Sequence, residues 1–355
     1  MIEWMTEGGA DMVGQKVTHT MYGCGTITEL SNTYLTVKFG DSEKKFVYPD
    51  AFEKYLTSTD SKFMEQVHKD IQAKRSAHSN SVLYTIHSSA IPTQAQRRSQ
   101  KQVKRVERLN IAFKCNYCDG GKGPSHIGFQ GVCSDPVLKY NIKKARHVWC
   151  SSEDSPCHRY LDGELTRKEL ESMMSGGHGL NSVCYESHML RDWMASAGIV
   201  QTGTDKGKPM RLLKVQKNSL AVLTTREPNA ASDESRFVFA VFLVDESYEG
   251  DNRDAGYVTT NSEWKIELAP TEAHKILFWN YYINRNAPQK IVFGSGLHRY
   301  LSDEQAAQIL RDIITVKSIP EEKEFAQQFF QHFCKINGID ANDVPPPNGA
   351  LVNNN

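Results

Sequence analysis

Five of the chain's eight cysteines stand between Cys115 and Cys157, and the first two are spaced as Cys115-Asn116-Tyr117-Cys118. A C-x2-C turn aims two thiolates at one ion, and neighbouring cysteines can complete the tetrahedron. Cys133, Cys150 and Cys157 follow, with His126, His147 and His158 close by. The chemistry expected here is structural zinc binding. Four thiolates close the coordination sphere, whereas catalytic zinc keeps a position open for water. Cys115, Cys118, Cys150 and Cys157 are the favoured ligands, because a second pair in a tight loop mirrors the opening knuckle. Cys133 is then a buried thiol or replaces one of the four. The same cysteines could hold an iron–sulfur cluster, although the spacing follows neither common ferredoxin pattern. Cys24, Cys184 and Cys334 stand far off in sequence and read as core residues.

Other arrangements are weaker. Cys184 and His188 would share a helix face, but nucleophilic catalysis also needs an orienting group and an oxyanion hole, so helix packing is the preferred reading. Asp245, Glu246 and Asp251 follow an apolar run, and paired carboxylates there could hold Mg²⁺ in a modification-dependent nuclease; an exposed acidic hairpin is the plainer expectation. Gly294-Ser295-Gly296 lacks the Lys-Ser/Thr ending of a phosphate loop. Arg97, Arg98, Lys101, Lys104, Arg105 and Arg108 form a basic stretch broken by Glu107. Helical spacing aligns most of them on one side, where they could neutralise phosphates or simply face water.

The elements that must carry these residues are of several kinds. Over 13–55, short alternating runs separated by Gly, Asp, Asn and Ser predict strands and hairpins. Phe63, Val67 and Ile71 recur every fourth residue and predict a helix over 59–76. Residues 220–225 and 236–244 predict strands, the second a buried central one because it is nearly all apolar; 257–260 and 264–268 predict two more. Helices are expected at 189–194, from Thr271, and after Ser302, which with Gln305 forms a capping box. The tail from Pro345 to Asn355 is expected to be disordered.

With 355 residues the chain suits two or three domains, here α+β and multidomain. The 42 basic and 42 acidic residues cancel, so any affinity for nucleic acid must come from local asymmetry. No apolar run suggests a membrane span. The first residues lack a secretory pattern, and a cytoplasmic address with reduced thiols is expected, which favours metal over disulfides.

Gly14 to His19, Gly23 to Ile27 and Leu35 to Phe39 resemble the tudor-like or CarD-like SH3 barrels appended to DNA helicases and transcription factors. That resemblance implies a barrel over 1–58 that binds protein or nucleic acid. A helix and basic linker would follow over 59–110, then a zinc-stabilised module over 111–175. Residues 221–225, 237–244 and 294–300 resemble the PUA-like superfamily, whose EVE, YTH, ASCH and SRA members read single-stranded or modified nucleic acid. The likeness implies a mixed barrel with flanking helices over 184–316, before a terminal helix and tail over 317–355. It also implies a base pocket, with Trp193, Trp279, Tyr281 and Tyr282 as the rings and Asn280 at the base edge. Arg226, Arg285, His298 and Arg299 would meet phosphates or a base edge. A nucleic-acid-binding protein is the expected function, with the nuclease and a protein-binding scaffold as alternatives.

Overall fold

Leu220–Thr225 and Phe237–Leu243 carry no charged residue and are buried along their whole length. Strands covered on both faces show continuous apolar runs, which is why alternation disappears there. The computed structural model describes residues 12–19, 22–30, 34–40, 42–49, 51–72, 107–123, 126–173, 183–200, 203–294 and 296–353. The chain divides into two compact units, residues 1–103 and 104–355. Arg97, Arg98, Lys101, Lys104 and Arg105 lie outside the described residues.

In the first unit, β1 (Lys16–His19), β2 (Gly23–Leu30), β3 (Tyr34–Phe39) and β4 (Ser42–Val47) form an antiparallel meander. β5 (Leu56–Thr57) returns to the far side of β1. Val17 and His19 point inward on β1 while Lys16 and Thr18 point out, the two-residue period of a half-buried strand. Gly25 is required by close packing, since a Cβ there would lie 2.5 Å from the Phe39 ring. Helix α1 (residues 61–72) adds Phe63, Val67 and Ile71 to the same core, as its spacing predicts. The described ladders leave β4 and β5 as edges. No ladder among the described residues joins them, so the described sheet is open where a closed barrel was expected.

The second unit holds two sheets. β6 (Asn110–Lys114), β8 (Leu220–Thr225), β9 (Phe237–Leu243), β12 (Lys265–Glu267) and β13 (His298–Leu301) take the order β12-β9-β8-β6-β13. β7 (Met194–Ser196), β10 (Glu246–Tyr248) and β11 (Tyr257–Thr259) form the other, in the order β10-β11-β7. These too are open, so the expected mixed barrel is absent from the described strands. β6 and β8 pair in parallel, which demands a crossover connection. Residues 115–219 are that crossover, and they contain the cysteine-rich segment. It is therefore no separate module: its entry strand lies inside the sheet, and its cysteines share one core with β8 and β9.

Within the crossover lie α2 (Asp135–Lys139), α3 (Pro156–Leu161) and α4 (Arg167–Ser172). The helix expected at 189–194 shortens to one turn, because Trp193 adopts φ 44° and the chain turns into β7. α5 (Asp303–Val316) begins with the predicted capping box, and α6 (Pro320–Asn337) packs beside it. Between them Lys317 is buried and donates to Glu272 and Glu322, each at 2.9 Å. Residues 345–353 are tied to the core, where a disordered tail was expected. Their proline carbonyls are held by α5, Gln308 Nε2 donating to Pro345 O and Pro346 O at 3.2 and 3.0 Å. Ala350 is buried, and its N–H donates to Tyr282 O at 3.0 Å. Among the described residues no helix is long and apolar enough to cross a membrane.

Candidate functional site

Parallel pairing brings the C-terminal ends of β6 and β8 to the same edge of the sheet. Lys114 ends β6, and Arg226 follows the last residue of β8. β13 runs antiparallel to β6, setting His298 opposite Phe113 and Arg299 opposite Ala112. β9 begins opposite Thr225, directly after Arg236. Topology thus gathers Lys114, Arg226, Arg236, His298 and Arg299 at one end, the position where open sheets with parallel strands bind ligands.

The carboxylate among these residues is Asp233. Its Oδ1 accepts from Arg236 Nε at 3.1 Å and Nη2 at 2.9 Å, and Arg226 Nη1 lies 3.8 Å away. Its Oδ2 accepts the Phe293 N–H at 2.8 Å. Burial alone would raise the Asp233 pKa, but Arg236, the Phe293 N–H and Arg226 together hold it below the usual carboxylate range. The guanidinium groups of Arg236 and Arg299 lie 5.1 and 4.9 Å from the centre of the Phe293 ring. Arg299 also donates to Phe293 O and His298 O, and Lys114 Nζ donates to Gly294 O at 2.9 Å.

Burial and then the neighbouring arginines lower the Lys114 pKa. His147 falls to about 4 through burial, Lys114 and Arg226. Burial, helped by Arg299, brings His298 to about 4 as well. The Nδ1 atom of His298 is buried and has no hydrogen-bond partner among the described residues. Four cationic side chains, Lys114, Arg226, Arg236 and Arg299, stand here with one carboxylate among them, which leaves excess positive charge in a partly desolvated place. Arg226 remains 43% exposed and reachable. Two residues beyond His147, Trp149 leaves 46% of its surface in solvent.

Of the residues expected at a nucleic-acid site, Arg226, His298 and Arg299 are brought together. Arg285 and half-buried Tyr282 belong to the same neighbourhood, since Arg299 and Arg285 both oppose the rise in the Tyr282 pKa caused by burial. Trp279 and Tyr281 are corrections to the expected pocket, being 0% and 1% exposed. Their polar ends are satisfied inside the protein: Trp279 Nε1 donates to Asp233 O at 2.6 Å and Tyr281 OH to Asp312 at 2.9 Å. Neither ring offers a face to a base. Asn280 is half-buried, and its carbonyl accepts from Gly349 N at 2.7 Å. Trp193 packs edge-on against Phe242, with Lys265 Nζ 5.4 Å from its ring centre. Arg108 is also used structurally, donating to Asp303, to Asn110 and to Asn218 O. Lys114 and Arg236 were not anticipated, because only the strand register reveals that they converge; His147 joins them from the crossover, within electrostatic reach of Lys114 and Arg226.

A second cluster lies in the crossover. Cys133 hydrogen-bonds Cys118, and Cys150 hydrogen-bonds Cys184; these contacts lead the rise of the Cys133 and Cys150 thiols, with burial second. The Cys150 contact lowers Cys184. Burial pushes the Cys157 thiol up, and Cys184 and Cys118 push it further. All five are buried. Among the described residues no three His, Cys, Asp or Glu side chains already form a metal-holding group; the thiols stand as two pairs, with Cys157 within electrostatic reach of both.

Cys115 is the correction here. Its N–H continues the ladder by donating to Thr224 O at 2.8 Å, and its thiol turns toward Phe113 O and Met189 Sδ. The Cys118 thiol instead faces Gly131 O at 3.3 Å, so the two cysteines have different partners. Cys184, expected to be a plain core residue, takes a place in the cluster. The glycines nearby serve backbone packing: a Cβ on Gly128 would lie 2.2 Å from Gly120 N. Asp119 ties the two loops, accepting from Ser134 N at 2.7 Å and from Ser134 Oγ.

The acidic run behaves as a hairpin. Asp251 accepts from the N–H groups of Arg253 and Asp254 at 2.7 and 2.9 Å, which lower its pKa. Asp245 accepts from Asn261 N, and Glu246 lies on β10 opposite Thr259. An open groove lined by Asp135, Leu138, Lys139 and Tyr160 lies between α2 and α3. No family model, no curated protein and no solved structure matches this chain.

Proposed function

We propose that this protein binds the phosphate backbone of nucleic acid at the cationic end of its larger sheet. The carrying observation is the gathering of Lys114, Arg226, Arg236 and Arg299 at one end of the sheet, with Arg236 and Arg226 on the Asp233 carboxylate and Lys114 within reach of its charge. Arg226 and Lys114 meet phosphates, Arg299 lies beside them, and buried Arg236 supports the local potential. Trp149 is the ring available for stacking, a contact worth about 1–3 kcal/mol per base. Such a site tolerates many sequences, because it reads charge and ring faces.

The finer fold readings belong to the same proposal. The first unit's strand order, with β5 returning to β1, suits an SH3-like module that adds a second contact to nucleic acid or to a protein partner. The β8–β9 core with its helices suits a PUA-like reader. All eight cysteines are unpaired thiols, in keeping with a reducing, cytoplasmic setting.

Fluorescence anisotropy of the full chain with labelled single-stranded DNA and RNA tests the reading. Three phosphate contacts predict a log–log salt slope of about −2 on single strands, at roughly 0.7 per contact. Arg226→Glu, at an exposed position, weakens binding roughly tenfold, which corresponds to ~1.4 kcal/mol. Trp149→Ala weakens it without changing the slope. Absence of binding at low salt, or equal affinity in Arg226→Glu, overturns the proposal.

A further inference from the structure

We infer that Cys118, Cys133, Cys150 and Cys184, with Cys157 beside them, form a thiolate centre for a thiophilic metal. The inference is independent of the anion site and survives its failure. It also differs from the spacing of the cysteines, which nominates Cys115 and passes over Cys184.

Five buried thiols from three separate stretches of the crossover stand as two pairs with Cys157 in electrostatic reach of both, although no three side chains among the described residues already form a metal-holding group. Cys118 and Cys133 make one hydrogen-bonded pair, and Cys150 and Cys184 the other. Free cysteine packs as a small hydrophobe, but its reactivity toward metals, more than its packing, distinguishes it from an aliphatic side chain, and five sit together here. The pairs are also provided with polar support. Asn141 Nδ2 lies 3.9 Å from the Cys133 sulfur, and Ser187 Oγ lies 3.3 Å from the Cys184 sulfur. Arg167 donates to Cys133 O at 2.7 Å and to Val132 O at 3.0 Å, and its charge lies close enough to act on Cys157. Outer partners of this kind orient thiolates and offset their charge.

Binding is a ligand exchange without redox change. Four S–H bonds break, four sulfur–metal bonds form, and four protons pass to solvent; a divalent ion with four thiolates then carries a net charge of −2. The two pairs must draw together on the ion, so metal also fastens the stretch around Cys118 and Cys133 to that around Cys150 and Cys184. A single zinc ion and an iron–sulfur cluster share this thiolate chemistry, and elemental analysis separates them.

The test uses the full chain, prepared under reducing conditions without chelator and examined by elemental analysis and native mass spectrometry. One equivalent of zinc, or iron with matching acid-labile sulfide, is expected. Cys115→Ser retains the metal, whereas Cys184→Ser and Cys133→Ser lose most of it. Because a cysteine variant can also fail to fold, cobalt substitution of the unaltered chain provides a second readout: a sulfur-to-cobalt charge-transfer band marks thiolate ligation. Metal-free protein with no cobalt band overturns the inference. So does a chain whose mass shows two disulfides, or a Cys115→Ser variant that loses metal as fully as Cys184→Ser.

Discussion

At the scale of single residues, chemistry here is decided by what surrounds a side chain. His19 is enclosed by Tyr22, Phe46 and Tyr55, with ring centres 4.6, 5.0 and 5.8 Å away. The Tyr22 N–H donates to its Nδ1 at 3.3 Å, which requires a neutral ring protonated on Nε2. Burial lowers its pKa from 6.5 to about 4. Between those values the unfolded chain binds a proton that the folded ring does not. The contribution of His19 is therefore complete above pH 6.5 and is lost as pH falls through about 4. Denaturation of the wild type at pH 7 and pH 4.5 should show a loss of stability that His19→Gln reduces by on the order of 2 kcal/mol. An unchanged difference in the variant would show that the ring is already charged in the folded protein. The same principle separates Cys115 from Cys118, whose identical chemistry meets different partners.

Elements carry the information that spacing encodes well. Ser302 and Gln305 bracket the first turn of α5: Ser302 Oγ accepts from Gln305 N at 3.2 Å, and Gln305 Oε1 accepts from Ser302 N at 2.9 Å. Ser302→Ala should cost about 1 kcal/mol, seen as a lower urea midpoint at unchanged slope. A negligible change would mean that the packing against α6 alone sets this helix. β6 shows the opposite case. Its five residues, Asn110–Lys114, precede the cysteine cluster, yet they form an interior strand of the sheet, held by a parallel ladder to β8 and an antiparallel one to β13. No local pattern distinguishes them from the lead-in to a metal knuckle.

Across the second unit, the ends of the described chain are tied back to its core. Gly349 passes so close to the turn at Trp279 that a Cβ would lie 2.4 Å from Trp279 O and 2.5 Å from the Asn280 carbonyl carbon. Backbone atoms cannot move aside as a flexible side chain can. Gly349→Ala should therefore destabilise the second unit by about 1–3 kcal/mol in a thermal melt, by loosening the terminal segment from Tyr282. Wild-type stability in that variant would show that the segment contributes nothing there. The consequence reaches the anion site, because Trp279 Nε1 fixes Asp233 O and Asp233 holds the arginines.

The order of residues along the chain already determined the strands at 220–225 and 237–243, the helix period at Phe63, Val67 and Ile71, the Ser302 cap and the prominence of the cysteines. Each depends on neighbours within a turn or two, where propensity and periodicity act directly. Which sulfurs meet, which cations converge and which aromatic rings are hidden were settled only by tertiary structure. Those outcomes follow from the parallel register of β6 with β8 and from where the long crossover returns, both set by contacts between residues more than a hundred positions apart. Pairing at such distance is selected by the packing of the whole core, and no local stretch of sequence contains it.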